Sequence, residues 1–543
     1  MSRETPDLLI LSGAYCSAEI TAEFGALPPA FLPVANKLLL ELQVAALRDD
    51  VGQIYITLPS SFHVKPADKR LMSTLNVSVI RTASELPLAK AAEFALKHLS
   101  KPSSLMILFG DTLVSHDSAL APDHFAVSNT SEYFQWADVS RPNNKSVRLD
   151  MGYKSGERVR TVACGLFSFS SAPEFLHCLE TTGDFLAAVE AYSVERELFE
   201  EPVAEWYDFG HLPLLYRSRR EMLVSRDFNT VISDGNKVTK FSTDRSKIRA
   251  EVEWYLNIPP HLRSFLPQFI EFSDHAKRPS YSCEYLYLPT LAELSVFGRL
   301  PRYVWRTILN SCLEFLSLCR TVPESELTPL NEVNFASSYY AEIIVNKSIS
   351  RFSTFIKSRG WSRSTIIEVN GVDSPPLWDI LDTCLSMISP TSTLDLAYSH
   401  GDFFFGNSFF DFRAGKIKVI DPRGSVFPGK PTVYGDYRYD LAKLSHSVIG
   451  GYDVLLANRA GFETLGEQRF RLSEDFLSTQ DDLLNLYKDL TFLGNPVLSR
   501  EIIAMTCLLF LSMLPLHAEQ KSRQDAFLAN AVRLYNLIEG TPV

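Results

Sequence analysis

Between residues 7 and 220, apolar runs of four or five residues alternate with segments of helical periodicity, and this alternation limits the fold more than any other feature. Leu8-Leu9-Ile10-Leu11, Ile54-Tyr55-Ile56-Thr57-Leu58 and Leu105-Met106-Ile107-Leu108-Phe109 read as buried strands, with Val77 to Arg81 as a further one. Lys37 to Leu47 and Leu88 to Leu99 carry helical apolar spacing. Short strands apolar on both faces, separated by helices, are expected to build a mostly parallel sheet with helices on both sides. An α/β domain is therefore expected over residues 1–220.

The pattern changes near residue 222. Met222 to Ser225, Thr230 to Ser233 and Lys237 to Phe241 read as a strand meander, with Asp234-Gly235-Asn236 as a turn. A helix is expected at about 244–257 and a strand from Tyr281 to Leu288. Beyond 301 the chain reads as mainly helical, interrupted by hairpins at 396–421. A small β lobe followed by a larger α lobe predicts an α+β, bilobal second domain over 221–543.

At 543 residues the chain exceeds one ordinary domain, and 46% hydrophobic residues with 12% aromatics supply large packed cores. The net charge of −11 argues against a nucleic-acid surface. Eight cysteines lie far apart without CxxC spacing, the pattern of reduced thiols in a cytoplasmic protein. The N-terminus shows no basic region followed by a secretory apolar core. The apolar run Ile502 to Leu516 is too short to span a bilayer and is expected to be a buried helix.

One stretch carries chemistry: SHGDFFFGNSFFDFRAGKIKVIDPRG, from Ser399 to Gly424. Phosphoryl transfer needs an Asp beside the acceptor hydroxyl and two further oxygen ligands for magnesium. Asp402, Asn407 and Asp421 offer these, five and fourteen positions apart, in an otherwise apolar and aromatic hairpin. The stretch resembles the HGDxxxxN loop and following I-D-x strand end of the aminoglycoside phosphotransferase and choline kinase superfamily. The resemblance implies a protein-kinase-like fold, ATP as phosphoryl donor, Asp402 at the acceptor hydroxyl, and Asn407 and Asp421 on Mg2+.

The same resemblance assigns further roles. Lys240, in Val238-Thr239-Lys240-Phe241, is expected on the ATP phosphates in preference to Lys237, and Glu251 is expected to orient it in preference to Glu253. Ser225, Arg226 and Asn229 fall where a loop would cover the phosphates, without that loop's usual glycines. Glu284 and Leu286 fall where main chain would bond adenine. Arg423, Asp436 and Arg438 are candidates for the acceptor pocket or for an internal salt-bridge network, and Asp440 for helix capping or direct chemistry.

The first 220 residues resemble the sugar-phosphate nucleotidyltransferases, which have a glycosyltransferase-A-like sheet. Leu9 to Ala14 matches the first strand and glycine loop, with Gly13 at the nucleotide. Phe31-Leu32-Pro33-Val34-Ala35-Asn36-Lys37 is similar to the family's LPVxxKPLL segment. Leu108-Phe109-Gly110-Asp111 and Trp206-Tyr207-Asp208-Phe209-Gly210 match its two metal-binding elements, implying Asp111 and Asp208 on a second Mg2+. The family's GxGxR is replaced by Gly13-Ala14-Tyr15-Cys16-Ser17-Ala18-Glu19, and its Pro-Lys pair by Pro28-Pro29-Ala30. Two cations are thereby missing, and Lys37 is one candidate replacement.

The joint reading is a bifunctional enzyme. It would phosphorylate a small hydroxyl compound with ATP, then join the product to a nucleotidyl group from CTP or another NTP. By analogy this would make an activated precursor for surface polysaccharide. The alternatives are a kinase carrying a non-catalytic first domain, a nucleotide-dependent binding protein, and a sugar-transferring first domain without the usual DxD motif. No nucleic-acid partner and no membrane span are expected. The acceptor is open between a sugar, a polyol and an amino alcohol. An aromatic box for choline would draw on Tyr434, Tyr437, Tyr439 and Trp361, which serve equally as core residues.

Overall fold

The structure is a computed structural model that describes residues 5–100, 102–115, 120–142, 146–151, 159–222, 229–233, 236–275, 278–427 and 429–540. The chain divides into two compact units, Met1–Met222 with Phe297–Arg299, and Leu223–Val296 with Leu300–Val543.

The first unit is built on a nine-stranded sheet. Val77–Thr82, Ile54–Pro59, Asp7–Leu11 and Leu105–Phe109 lie side by side in that order, all parallel. Arg160–Phe169 then joins antiparallel to Leu105–Phe109. The centre is apolar on both faces: Leu8, Leu9 and Ile10 are fully buried. Leu9 and Ile107 share one cluster with Ala92, Phe167, Phe175 and Tyr192, which brings three covering helices onto that face. Each fully buried Leu, Ile or Phe contributes about 1.5–3 kcal/mol. Lys37 does not start a helix. Ala35 and Asn36 take left-handed backbone (φ 50° and 62°), so Lys37 begins the second strand of a ribbon, Pro33–Val34 with Lys37–Leu38. The helix follows at Leu39–Leu47.

In the second unit, Asn229–Ser233, Lys237–Ser242, Ser280–Glu284 and Phe269–Ser273 form an antiparallel sheet. The helix Arg245–Asn257 follows the second of these strands and is capped by Asp244, whose side chain accepts from Lys247 N–H at 3.1 Å. The expected strand from Tyr281 stops at Glu284, and the chain runs on as coil to the helix Leu291–Val296. The larger lobe is helical. Its centre is Arg500–Met513, buried without interruption from Ile502 to Ser512, as a helix apolar on all sides must be. It packs against Lys521–Glu539, Tyr437–Val448, Lys347–Ser358 and Leu377–Ser386. Among the described residues, Arg500–His517 is the one helical stretch apolar and long enough to cross a membrane by composition, and 67% of it is buried within the protein.

Candidate active site

In the second unit the small sheet presents Lys240 opposite Tyr281. Lys240 Nζ lies 2.8 Å from Glu251 Oε2 and 2.9 Å from Asp421 Oδ1. Glu251 is 1% exposed, whereas Glu253, two residues on, is exposed and accepts from Asn257. Lys237 pairs with Glu271 instead. Burial alone would depress the Lys240 ammonium, but Asp421 and Glu251 outweigh it and hold it above the usual lysine range. Burial raises Glu251, against the pull of Lys240.

Asp402 and Asn407 are brought together by the turn between them. Asn407 Nδ2 donates to the Asp402 carbonyl at 3.0 Å and to Asp402 Oδ2 at 3.3 Å, which leaves the Asn407 amide oxygen for a cation. The side chains of Asp402 and Asp421 are 40% and 42% exposed in a region whose surroundings are mostly buried. Burial would raise Asp402, but Lys443 Nζ, 2.8 Å from its Oδ1, outweighs this and holds it below the ordinary carboxylate range. Asp421 is lowered in the same way by Lys240.

The loop is held from behind. Asp440 accepts hydrogen bonds from Ser399 Oγ at 2.8 Å, His400 N–H at 2.8 Å and Gly401 N–H at 2.7 Å. Burial raises it to about 6, opposed by these bonds. Asp440 is therefore a positioning residue, and the cap of the helix Tyr437–Val448 is Asp436. His400 accepts from Asp402 N–H on Nδ1 at 3.3 Å and donates from Nε2 to the Ile420 carbonyl at 2.9 Å, the bonding of a neutral ring. Trp254 Nε1 donates to the Ser399 carbonyl at 2.8 Å, tying the Glu251 helix to the loop. Gly424 (φ 65°) passes so close to that helix that a β-carbon would fall 2.1 Å from the Ala250 carbonyl oxygen.

Asp436 and Arg438 do not line an open pocket. Both are buried and pair at 2.6 Å; Thr391 Oγ1 donates to Asp436 at 2.7 Å, and Arg438 reaches Glu501 at 2.8 Å. Their charges are compensated internally. Nor do the four aromatic candidates make one box. Tyr434 stacks on Tyr398 and donates to Glu326, Tyr437 meets Phe492, Tyr439 meets Tyr339, and Trp361 meets Phe355. Ser225 and Arg226 lie outside the described residues, as does the side chain of Asn229. Glu284 N–H is bonded to the Gln268 carbonyl, and Leu286 lies in the coil beyond the strand. Lys443 was not among the sequence-derived candidates, although it follows Asp440 by three positions on one helix face.

In the first unit, Glu205–Asp208 pairs antiparallel with Thr112–Ser115, a register that sets Asp208 opposite Thr112 and beside Asp111. Phe209 N–H donates to the Asp111 carbonyl at 2.8 Å. Asp208 accepts from Trp136 Nε1 at 2.5 Å and Gly210 N–H at 2.6 Å, with His211 Nδ1 3.8 Å away. Gly210 leaves room for both carboxylates, since a β-carbon there would fall 2.5 Å from Asp111 Oδ2 and 3.2 Å from Asp208 Oδ1. Burial and the Asp208 charge push Asp111 up to about 6, a conflict that a divalent cation would relieve. Gly13 lies two residues beyond the strand Asp7–Leu11, next to Ser12, whose N–H donates to Thr57 Oγ1 at 2.8 Å.

Among the described residues, no group of three or more His, Cys, Asp or Glu side chains has metal-binding geometry. Each site thus offers two oxygen ligands. That suits magnesium, which keeps several waters and takes the rest of its shell from nucleotide phosphates.

The first unit is thus an α/β fold on a mostly parallel sheet, and the second sets a small antiparallel sheet before a larger helical lobe. No protein-family model and no curated protein matches the chain. Among solved structures, the CTP:phosphocholine cytidylyltransferase of Streptococcus pneumoniae is similar at 12% identity over 40% of this chain and 100% of its own, with a TM-score of 0.33. The inositol-1-phosphate CTP transferase of T. maritima matches at 12% identity over 41% of this chain and 98% of its own (TM-score 0.32). A choline/ethanolamine kinase family protein of Mesorhizobium loti matches at 11% identity over 59% of this chain and 87% of its own (TM-score 0.33).

Proposed function

We propose that the second unit transfers the γ-phosphoryl group of ATP to the hydroxyl of a small molecule, and that the first unit joins the phosphorylated product to a nucleotidyl group. One observation carries the first part: Lys240 holds Glu251 and Asp421, Asn407 holds Asp402, and the two groups are joined where Ile420 N–H, beside Asp421, donates to the Asn407 carbonyl at 3.0 Å. Asp402 accepts a hydrogen bond from the acceptor hydroxyl and takes its proton as the oxygen bonds to phosphorus and ADP leaves. Held ionised by Lys443, Asp402 is a weak base that orients first and accepts the proton late, as a loose transition state permits. Lys240 holds the donor phosphates, and magnesium, when bound by Asn407 and Asp421, neutralises charge on them.

For the first unit, the converging Asp111 and Asp208 support nucleotidyl transfer. One observation favours a non-catalytic scaffold instead: among the described residues, the charged groups acting most strongly on Asp111 are Asp208 and His211, neither of them a lysine or an arginine. The test of the phosphotransfer reading is Asp402→Asn. ADP formation should fall about 10²–10⁴-fold while calorimetry shows ATP still bound. Undiminished turnover would remove Asp402 from the chemistry.

A further inference from the structure

The helix Lys347–Ser358 continues from a π-helical segment, Tyr340–Asn346. Such segments occur often at functional sites. Lys347 and Arg351 are one turn apart and share a face. Tyr439 and Lys443 have the same spacing on Tyr437–Val448. The two helices meet there: Lys347 Nζ donates to Tyr439 Oη at 2.6 Å, and Lys443 Nζ reaches Asp402 at 2.8 Å. Arg423, just past the Asp421 turn, donates its N–H to the His400 carbonyl at 2.8 Å, and its charge acts on Asp402, Tyr439, Lys347 and Arg351.

Four cations therefore gather around Tyr439 beside Asp402. Lys443 is paired with Asp402. Among the described residues, Lys347, Arg351 and Arg423 have no carboxylate within ion-pair distance. The strain is visible on the groups themselves. Burial, with Arg423 and Lys443 adding to it, pushes Lys347 down to about 8. Tyr439, which burial would raise, is pulled down to about 7 by Lys347, Lys443 and Arg423. Half-buried cations without counter-charge cost stability and repel a cationic ligand; an anion placed among them reverses both effects.

ATP does not account for the cluster. Lys240 and the Asn407–Asp421 pair serve the donor, whereas Lys347 and Arg351 come from a separate helix of the large lobe. A groove of about 1100 Å³ in the same unit is lined by Glu253, Glu326 and Glu342 but by none of Asp402, Asn407 or Asp421, so its acidic wall does not face the reacting centre.

We infer that the acceptor phosphorylated beside Asp402 is an anionic hydroxyl compound whose carboxylate or phosphate group is held by Lys347, Arg351 and Arg423. The inference rests on the phosphotransfer reading of the same site and names its substrate class. Arginine suits such a group because its planar fork binds two oxygens at once.

The experiment is ADP formation by the full chain with magnesium and ATP, given matched acceptors. Glycerate and gluconate carry a carboxylate, glycerol 3-phosphate a phosphate, glycerol and glucose no charge, and choline and ethanolamine a cation. The expected result is kcat/KM at least tenfold higher for an anionic acceptor than for its uncharged counterpart. Arg351→Gln and Lys347→Gln should each raise KM for that acceptor at least tenfold without altering KM for ATP. Preference for glycerate over glycerol 3-phosphate identifies a carboxylate site, and the reverse a phosphate site. Faster turnover of glycerol, glucose or choline overturns the inference and leaves phosphotransfer standing. No ADP from any acceptor, with ATP binding retained, overturns phosphotransfer, and the inference falls with it.

Discussion

Lys240 Nζ sits 2.8 Å from Glu251 Oε2 and 2.9 Å from Asp421 Oδ1, so one buried ammonium ties the helix of the small lobe to the loop that ends at Gly424. Among the described residues, Glu251 has one other cation in reach, Lys247 at 4.0 Å, whose side chain is 46% exposed.

Lys240→Ala should therefore lower both activity and stability. ADP formation should fall about 10²–10³-fold, the usual effect of removing one preorganised charge donor. Stability should fall by about 3 kcal/mol, because Glu251 is left buried without its partner. The double variant Lys240→Met/Glu251→Leu should regain much of the stability and none of the activity. Urea unfolding read beside an ADP assay checks this, and a Lys240→Ala protein as stable as its parent would contradict the coupling.

His400 gives a pH dependence of known sign. Burial holds its ring down to about 4, against an ordinary histidine value of 6.5. Between these values the unfolded chain binds more protons than the folded one, so this contribution to stability is lost as pH falls from about 6.5 to 4, by about 3 kcal/mol in all. Asp440, raised to about 6, acts in the opposite sense, since its folded form binds the proton more tightly. The His400 effect is therefore read as a difference. His400→Gln should lose less stability than the parent between pH 6.5 and 4, and parallel unfolding curves would refute it.

Gly424→Ala tests the approach of the Asp421 loop to the Glu251 helix. A β-carbon 2.1 Å from the Ala250 carbonyl cannot be accommodated without moving the backbone, and the positive φ adds strain. The variant should lose about 1–3 kcal/mol and most ADP formation, because the shift carries Asp421 away from Lys240. Retained activity would show that the loop tolerates displacement.

Asp111→Ala separates the two units chemically. With NTPs and the phosphorylated acceptor, pyrophosphate release should fall to background while ADP formation is unaltered. If the parent protein itself releases no pyrophosphate, the first unit is a scaffold; if the variant loses both products, the two reactions are coupled.

Much of the fold is legible from local pattern. The runs at 8–11 and 105–109 are apolar at every position and that at 54–58 at all but Thr57, and a strand buried on both faces of a parallel sheet suits them. Asp402, Asn407 and Asp421 are legible as a group because short spacing in one hairpin limits how far apart they can be. The choice of Glu251 over Glu253 follows from helix phase, which turns one carboxylate inward and the next outward.

The remainder depends on contacts between distant segments. Arg438 and Arg423 both follow the Asp402 loop and are both arginines, yet one is consumed by Asp436 and Glu501 while the other has no carboxylate partner among the described residues. Lys347 and Arg351 lie more than fifty residues before Asp402, and nothing in their local sequence relates them to it. The sequence alone determined where the strands, helices and candidate carboxylates fall, because periodicity and short loops are local properties. Only the tertiary structure decided which charges are neutralised and which stay open beside Asp402, because the strength of a charge depends on what long-range packing sets within a few ångströms of it.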